Sequence, residues 1–200
     1  MRALIILVCI VTCQVTAFGA DILYFTSSPT SWVGHGLTKW ITSGGGFAFY
    51  GHRYFDQGAY TNAVAVGVSS NNEWWDLTLV SPGLTFPAPG QYDNAARWPF
   101  QDIAQPGLDF SGTGRGDNRL TGNFHVYEAA VDAGGNLLRF AADFEQFDEG
   151  VTNNWVRGSF RYHSDVPIPA PEPSAIVMML LSCISLGMLG VRLRMRRTAT

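Results

Sequence analysis

NFHVYEAAVDAGGNLLRFAADFEQF, running from Asn123 to Phe147, is the stretch whose reading decides the fold. Asp132-Ala133-Gly134-Gly135-Asn136 reads as a short turn, because its glycines supply the positive φ that tight turns need. Before the turn, Phe124, Val126, Glu128 and Ala130 alternate with His125, Tyr127, Ala129 and Val131. After it, Phe140, Ala142 and Phe144 alternate with Arg139, Ala141, Asp143 and Glu145. A period of two is the mark of a half-buried strand, so this is a β-hairpin. Antiparallel pairing about Gly134 sets Phe124 opposite Phe144 on the core face. It sets His125 opposite Asp143 on the other face, as a polar cross-strand pair.

Working outward, the same grammar recurs. Short aromatic and β-branched runs cover 22–26, 46–55, 63–68, 74–80 and 155–162. Gly, Pro, Asn and Asp separate them, as in Ser43-Gly44-Gly45-Gly46 and Phe86-Pro87-Ala88-Pro89-Gly90. The stretch Gln91–Trp98 reads as one helical turn. About seven strands with turn signals between them predict an all-β fold, an antiparallel β-sandwich that is jelly-roll-like or barrel-like. Trp74 and Trp75 are neighbours on one strand, so one is expected in the core and the other in solvent.

The chain has 200 residues and a formal net charge of -3. One domain with appendages fits that length. Lys39 is its one lysine, and the arginines of the body are scattered, so the basic face that nucleic acid requires is missing. The three cysteines, Cys9, Cys13 and Cys183, all lie in apolar end segments. The body therefore has no internal disulfide and no thiol chemistry.

The N-terminal stretch has the layout of a secretory signal peptide over 1–19. Arg2 forms the positive start, Ala3–Val15 the apolar middle, and Ala17-Phe18-Gly19 a small-x-small cleavage site. Cleavage after Gly19 fits best. A retained membrane anchor is the rival. A lipoprotein reading at Cys13 is disfavoured by Thr12 before it.

At the other end, four prolines between Pro167 and Pro173 stiffen a linker over 166–174. Ala175–Val191 follows as an apolar run of roughly 17 residues, at the short end of what spans a bilayer as a helix. Arg192, Arg194, Arg196 and Arg197 close it, and the positive-inside rule keeps the tail 192–200 cytoplasmic. The order Pro171-Glu172-Pro173, transmembrane helix, arginine cluster resembles the PEP-CTERM sorting signal. That resemblance covers about 166–197. It implies processing by exosortase, a membrane-embedded cysteine protease-transpeptidase, on the outer face of the inner membrane. It also implies a Gram-negative setting rich in extracellular polysaccharide.

A second resemblance covers the body. PGQYDNAARWPF (89–100), PGLDFSGTGRGDNRLTGNFHVYEA (106–129), RFAADFEQF (139–147) and GSFRYHS (158–164) look like an uncharacterised bacterial exported β-domain. No activity comes with it. In that family cysteines often stand where this chain has Asp117 and Asp148, which implies a disulfide there; here both are aspartate. The hairpin register brings the partner of Asp148 to about residue 120, so the two aspartates are expected close together. They form a candidate weak cation site, to which Asn118, Glu149 and backbone carbonyls would add oxygens of the kind calcium takes. The plainer reading is favoured: two exposed loop aspartates kept apart by water.

Other motifs carry little. Arg115-Gly116-Asp117 spells an integrin-recognition tripeptide, but a Gly-rich turn produces it by chance. Gly112-Thr113-Gly114-Arg115-Gly116 lacks the Lys-Ser/Thr ending and the helix of a phosphate loop. His35, His52, His125 and His163 are dispersed without metal-ligand spacing. Asp143 and Glu145 share a strand face as glycosidase carboxylates can, yet a solvated polar face explains them better. The six tryptophans serve either a disulfide-free core or a sugar-stacking surface.

The sequence thus predicts a β-sandwich domain over 20–165 between two sorting segments. It needs no cofactor or metal and has no catalytic residues. The expected function is that of an exported, non-enzymatic surface or matrix protein associated with exopolysaccharide. It would meet exosortase and the inner membrane during sorting. A carbohydrate-binding module and a glycan hydrolase are the alternatives.

Overall fold

The structure, a computed structural model, describes residues 19–54 and 62–168. The motif Pro171-Glu172-Pro173, the run 175–191, the arginines from Arg192 to Arg197, and the expected signal peptide before Gly19 lie outside the described residues. Among the described residues no helix is long and apolar enough to cross a membrane.

Among the described residues ten strands form, in chain order β1 (Ala20–Ser27), β2 (Thr38–Thr42), β3 (Ala48–Arg53), β4 (Val64–Ser69) and β5 (Trp74–Val80). They continue with β6 (Gly90–Arg97), β7 (Gly107–Gly112), β8 (Leu120–Val131), β9 (Leu137–Asp148) and β10 (Trp155–Ser164). All join one sheet in the order β2-β1-β10-β9-β8-β6-β7-β5-β4-β3. The pairing is antiparallel except between β6 and β7, which run parallel over two residue pairs.

The β8–β9 hairpin has the expected register, with Phe124 opposite Phe144 and His125 opposite Asp143. Its turn is pinned by Asp132, whose two carboxylate oxygens accept from the Asn136 amide N–H at 2.8 Å and from Asn136 Nδ2 at 2.9 Å. The face assignment holds only up to Val126. Between Val126 and Glu128 the register shifts, leaving Tyr127 as the extra residue of a bulge. A bulge reverses the alternation beyond it. Ala129 and Val131 therefore pack on the core, and Glu128 meets Arg139 at 3.0 Å.

The sheet curls so that its two halves bury a common face. Phe25 of β1 meets Trp75 of β5 with ring centroids 4.5 Å apart, and Phe110 of β7 meets Phe144 of β9 at 4.6 Å. Phe49 of β3 reaches Phe160 of β10 at 5.8 Å. Leu23, Val66, Leu77, Leu108, Val126, Phe140 and Val156 fill the space between. Full burial of each such side chain stabilises by about 1.5–3 kcal/mol. As the adjacent pair required, Trp75 is buried and Trp74 is exposed.

Three strands escaped the sequence pattern. The expected helical turn at Gln91–Trp98 is strand β6 instead. Its register breaks between Tyr92 and Ala95, where Asn94 takes a left-handed φ of 56°, so the period of two is hidden. Tyr92 nevertheless stacks on Phe124 at 4.6 Å. Strand β7, GLDFSG, begins and ends in glycine and reads as loop. A Cβ on Gly112 would run into the Trp75 ring, so glycine is required there by packing. Strand β2 is a short edge with Ile41 its one buried residue.

Candidate functional site

Asp117 and Asp148 are brought together, and they are buried rather than exposed. The reason lies in β9. Phe144, Gln146 and Asp148 follow one another on the core face, so Asp148 at the strand end points inward. Its Oδ2 accepts from Ser31 Oγ at 2.5 Å and from the Val33 N–H at 3.2 Å. Asp117 enters from the loop after β7, and its Oδ2 accepts from Gln146 Nε2 at 2.9 Å. Among the described residues no N–H or O–H donor reaches Oδ1 of either aspartate. The two carboxyl groups are close enough to act on each other, and burial, then the Asp148 charge, pushes the Asp117 carboxyl up to about 8. The expectation of two solvated aspartates is thereby corrected.

Gln146 was missed in the sequence, although the alternation through Phe144 placed it on the core face. Its carboxamide does the work of a missing strand. Strands β6 and β7 pair only as far as Leu108, so Phe110 would be left without a partner on that side. The Phe110 N–H donates to Gln146 Oε1 at 2.8 Å, and Gln146 Nε2 donates to the Phe110 carbonyl at 3.0 Å. Burial makes such bonds obligatory.

The outward face of the sheet carries a different chemistry. Trp40, Tyr24, Ser159, Asp143, His125 and Gln91 are successive cross-strand neighbours from β2 to β6. Five steps of roughly 4.8 Å make this row about 24 Å long. Trp40 is 52% exposed and its ring lies 5.5 Å from that of Tyr24. Towards the other end, Tyr127 is exposed and 4.4 Å from the His125 ring. Its hydroxyl donates to Asp143 Oδ2 at 3.0 Å. Aromatic faces and hydrogen-bonding groups thus share one surface.

The remaining candidates find ordinary roles. His125 sits opposite Asp143, but its Nδ1 lies 3.2 Å from Gln91 Oε1, while Asp143 pairs with Arg161 at 2.9 Å. Glu145 pairs with Arg157 at 2.5 Å, so each carboxylate of the Asp143/Glu145 set is held by an arginine. In the Arg115-Gly116-Asp117 turn, Arg115 lies over the Trp75 ring at 5.4 Å and Asp117 is buried, so the tripeptide is not displayed. Among the described residues no group of three or more His, Cys, Asp or Glu side chains is placed to hold a metal ion. An open groove of about 380 Å³ borders the Asp117 loop, lined by Arg97, Phe100, Asn118, Arg119, Thr121 and Glu149 among others.

Compared with known proteins, the chain matches no family model, no curated protein and no solved structure.

Proposed function

We propose that this is an exported surface or matrix protein, non-enzymatic, whose β-domain associates with extracellular polysaccharide. In this reading the ten-stranded sheet is a jelly-roll-like β-sandwich, delivered by a signal peptide over 1–19 and a PEP-CTERM tail. The tail contributes Pro171-Glu172-Pro173, a transmembrane helix over 175–191 and Arg192, Arg194, Arg196 and Arg197. Exosortase is the processing partner at the inner membrane.

The observation that carries the polysaccharide contact is the outward row from Trp40 to Gln91. Pyranose rings stack on exposed Trp and Tyr faces, because their axial C–H bonds meet the negative face of the aromatic quadrupole. Asp143, His125 and Gln91 supply donors and acceptors between the rings. The same row favours the carbohydrate-binding module as the second reading, which differs in having one defined glycan rather than a general matrix.

Co-sedimentation with the exopolysaccharide of the producing bacterium tests this. The unmodified protein is expected in the pellet. A Trp40→Ala, Tyr127→Ala double variant should stay in solution at least tenfold more, with its melting temperature nearly unchanged. If both proteins sediment equally, the face is not the contact. If neither sediments, the polysaccharide reading fails.

A further inference from the structure

We propose that Asp117 and Asp148 share one buried proton and act as a pH-sensitive latch, holding the loops 28–36 and 113–119 against the end of β9. The inference is independent of any polysaccharide contact. Its basis is the donor inventory. An ionised carboxylate only accepts hydrogen bonds. Oδ2 of Asp148 is filled by Ser31 and Val33, and Oδ2 of Asp117 by Gln146. The two remaining Oδ1 atoms are buried with no N–H or O–H donor among the described residues, and the two carboxyl groups act on each other at close range. Two bare carboxylates in contact away from water repel strongly, whereas one proton between them turns the contact into a hydrogen bond.

A cation is the rival occupant, and the surroundings disfavour it. Calcium takes six to eight oxygens. Here the neighbours of the pair are hydrogen donors: Ser31 Oγ–H, the Val33 N–H and the Gln146 amide. Nor, among the described residues, does a positive side chain neutralise the pair. From the loop 113–119, Arg115 lies over Trp75 and Arg119 is 3.7 Å from Glu149. From β6, Arg97 Nη1 donates to the Asn118 carbonyl at 3.2 Å. From the loop 28–36, His35 lies against Trp32. From the turn after β9, Glu149 adds a further negative charge acting on Asp117.

The latch joins segments far apart in sequence. Ser31 Oγ, while donating to Asp148, accepts from the Gly34 N–H at 2.9 Å, so the whole 28–36 loop is organised around this carboxyl. Gln146 passes the constraint on to Phe110 of β7. The sign follows from linkage. Asp117 binds its proton in the folded state up to about pH 8, well above the ordinary carboxylate range. The stabilisation is therefore complete below the unfolded value near 4 and is lost as pH rises through about 8.

The test is the stability of the full chain, purified in detergent, measured from pH 7 to pH 9. The folding equilibrium constant of the unmodified protein should fall about tenfold in all across this window, most steeply near pH 7, and level off by pH 9. Hydrogen exchange at 28–36, corrected for intrinsic base catalysis, should rise in the same window. Asp117→Asn supplies an amide donor that cannot be lost, so its profile should be flat there. If that variant does not fold, Asp148→Asn serves as the second. A flat profile in the unmodified protein overturns the proposal. So does an undiminished slope in a folded variant, or restoration of pH 7 stability at pH 9 by millimolar calcium alone, which would make the site a cation site.

Discussion

At the scale of single residues, Arg161 is a heavily committed side chain. It is buried on β10, and its five N–H donors all find oxygens. Nη2 serves Asp143 at 2.9 Å and the Pro167 carbonyl at 3.1 Å; Nη1 serves the carbonyls of Ala142 and Phe160; Nε serves Val166. It thus ties the chain leaving β10 back to the sheet. Removing one partner of a buried ion pair costs about 3–5 kcal/mol. Arg161→Met should lower stability in denaturant melts by that order, while Arg157→Ala, whose pair with Glu145 is largely exposed, should cost under about 1 kcal/mol. Nothing in the sequence separated these two arginines, since they stand four residues apart on the same face of one strand. Asp109 offers a second residue-level check. Burial pushes its carboxyl up to about 6, against the opposing pull of Arg97. Its protonated form therefore stabilises the fold at low pH, and that contribution fades as pH rises through about 6. Asp109→Asn should remove this lower component of the pH profile and leave the one near pH 8.

At the scale of elements, the legible parts were those whose alternation ran unbroken. Strands β5, β9 and the first half of β8 announced themselves through Trp75, Leu77 and Leu79, and through Phe140, Phe144 and Phe124. The hairpin register followed from one turn. Strand β6 was hidden because its kink at Asn94 breaks the period, and β7 because Gly107 and Gly112 are set by close packing rather than by a turn. The second half of β8 was assigned to the wrong face because no residue type marks the bulge at Tyr127. The closeness of Asp117 and Asp148 was legible from register; their burial was not, since it depends on the loop 28–36 closing over them. Gln146 belongs to this scale too, as the substitute for a strand beside β7. Gln146→Leu keeps the volume but leaves the Phe110 N–H and carbonyl unpaired, at roughly 1–3 kcal/mol for each buried group. Chemical denaturation should show that loss. It should be accompanied by faster amide exchange at Phe110 than at Leu77, whose partners lie within β4 and β7.

At the scale of the whole molecule, one curled sheet separates two kinds of chemistry. The inner face is a continuous aromatic and aliphatic core that closes without a disulfide in the body, because the cysteines lie in the end segments. The outer face from β2 to β6 presents Trp40, Tyr24 and Tyr127 among polar groups. In the proposed reading the end segments give the domain its address through residue order: an apolar leader at one end, and at the other the PEP triplet, apolar run and arginines. The central claim, that this β-domain is an exported cargo of that tail, is tested most directly by intact-mass analysis of the mature protein from the cell surface or matrix of the bacterium that encodes it. The account predicts a species beginning near Ala20 and lacking Arg192–Arg197. A Pro171→Ala, Glu172→Ala, Pro173→Ala variant should instead accumulate in the membrane with its C-terminus intact. A surface species that retains both the leader and the arginine cluster would contradict the account.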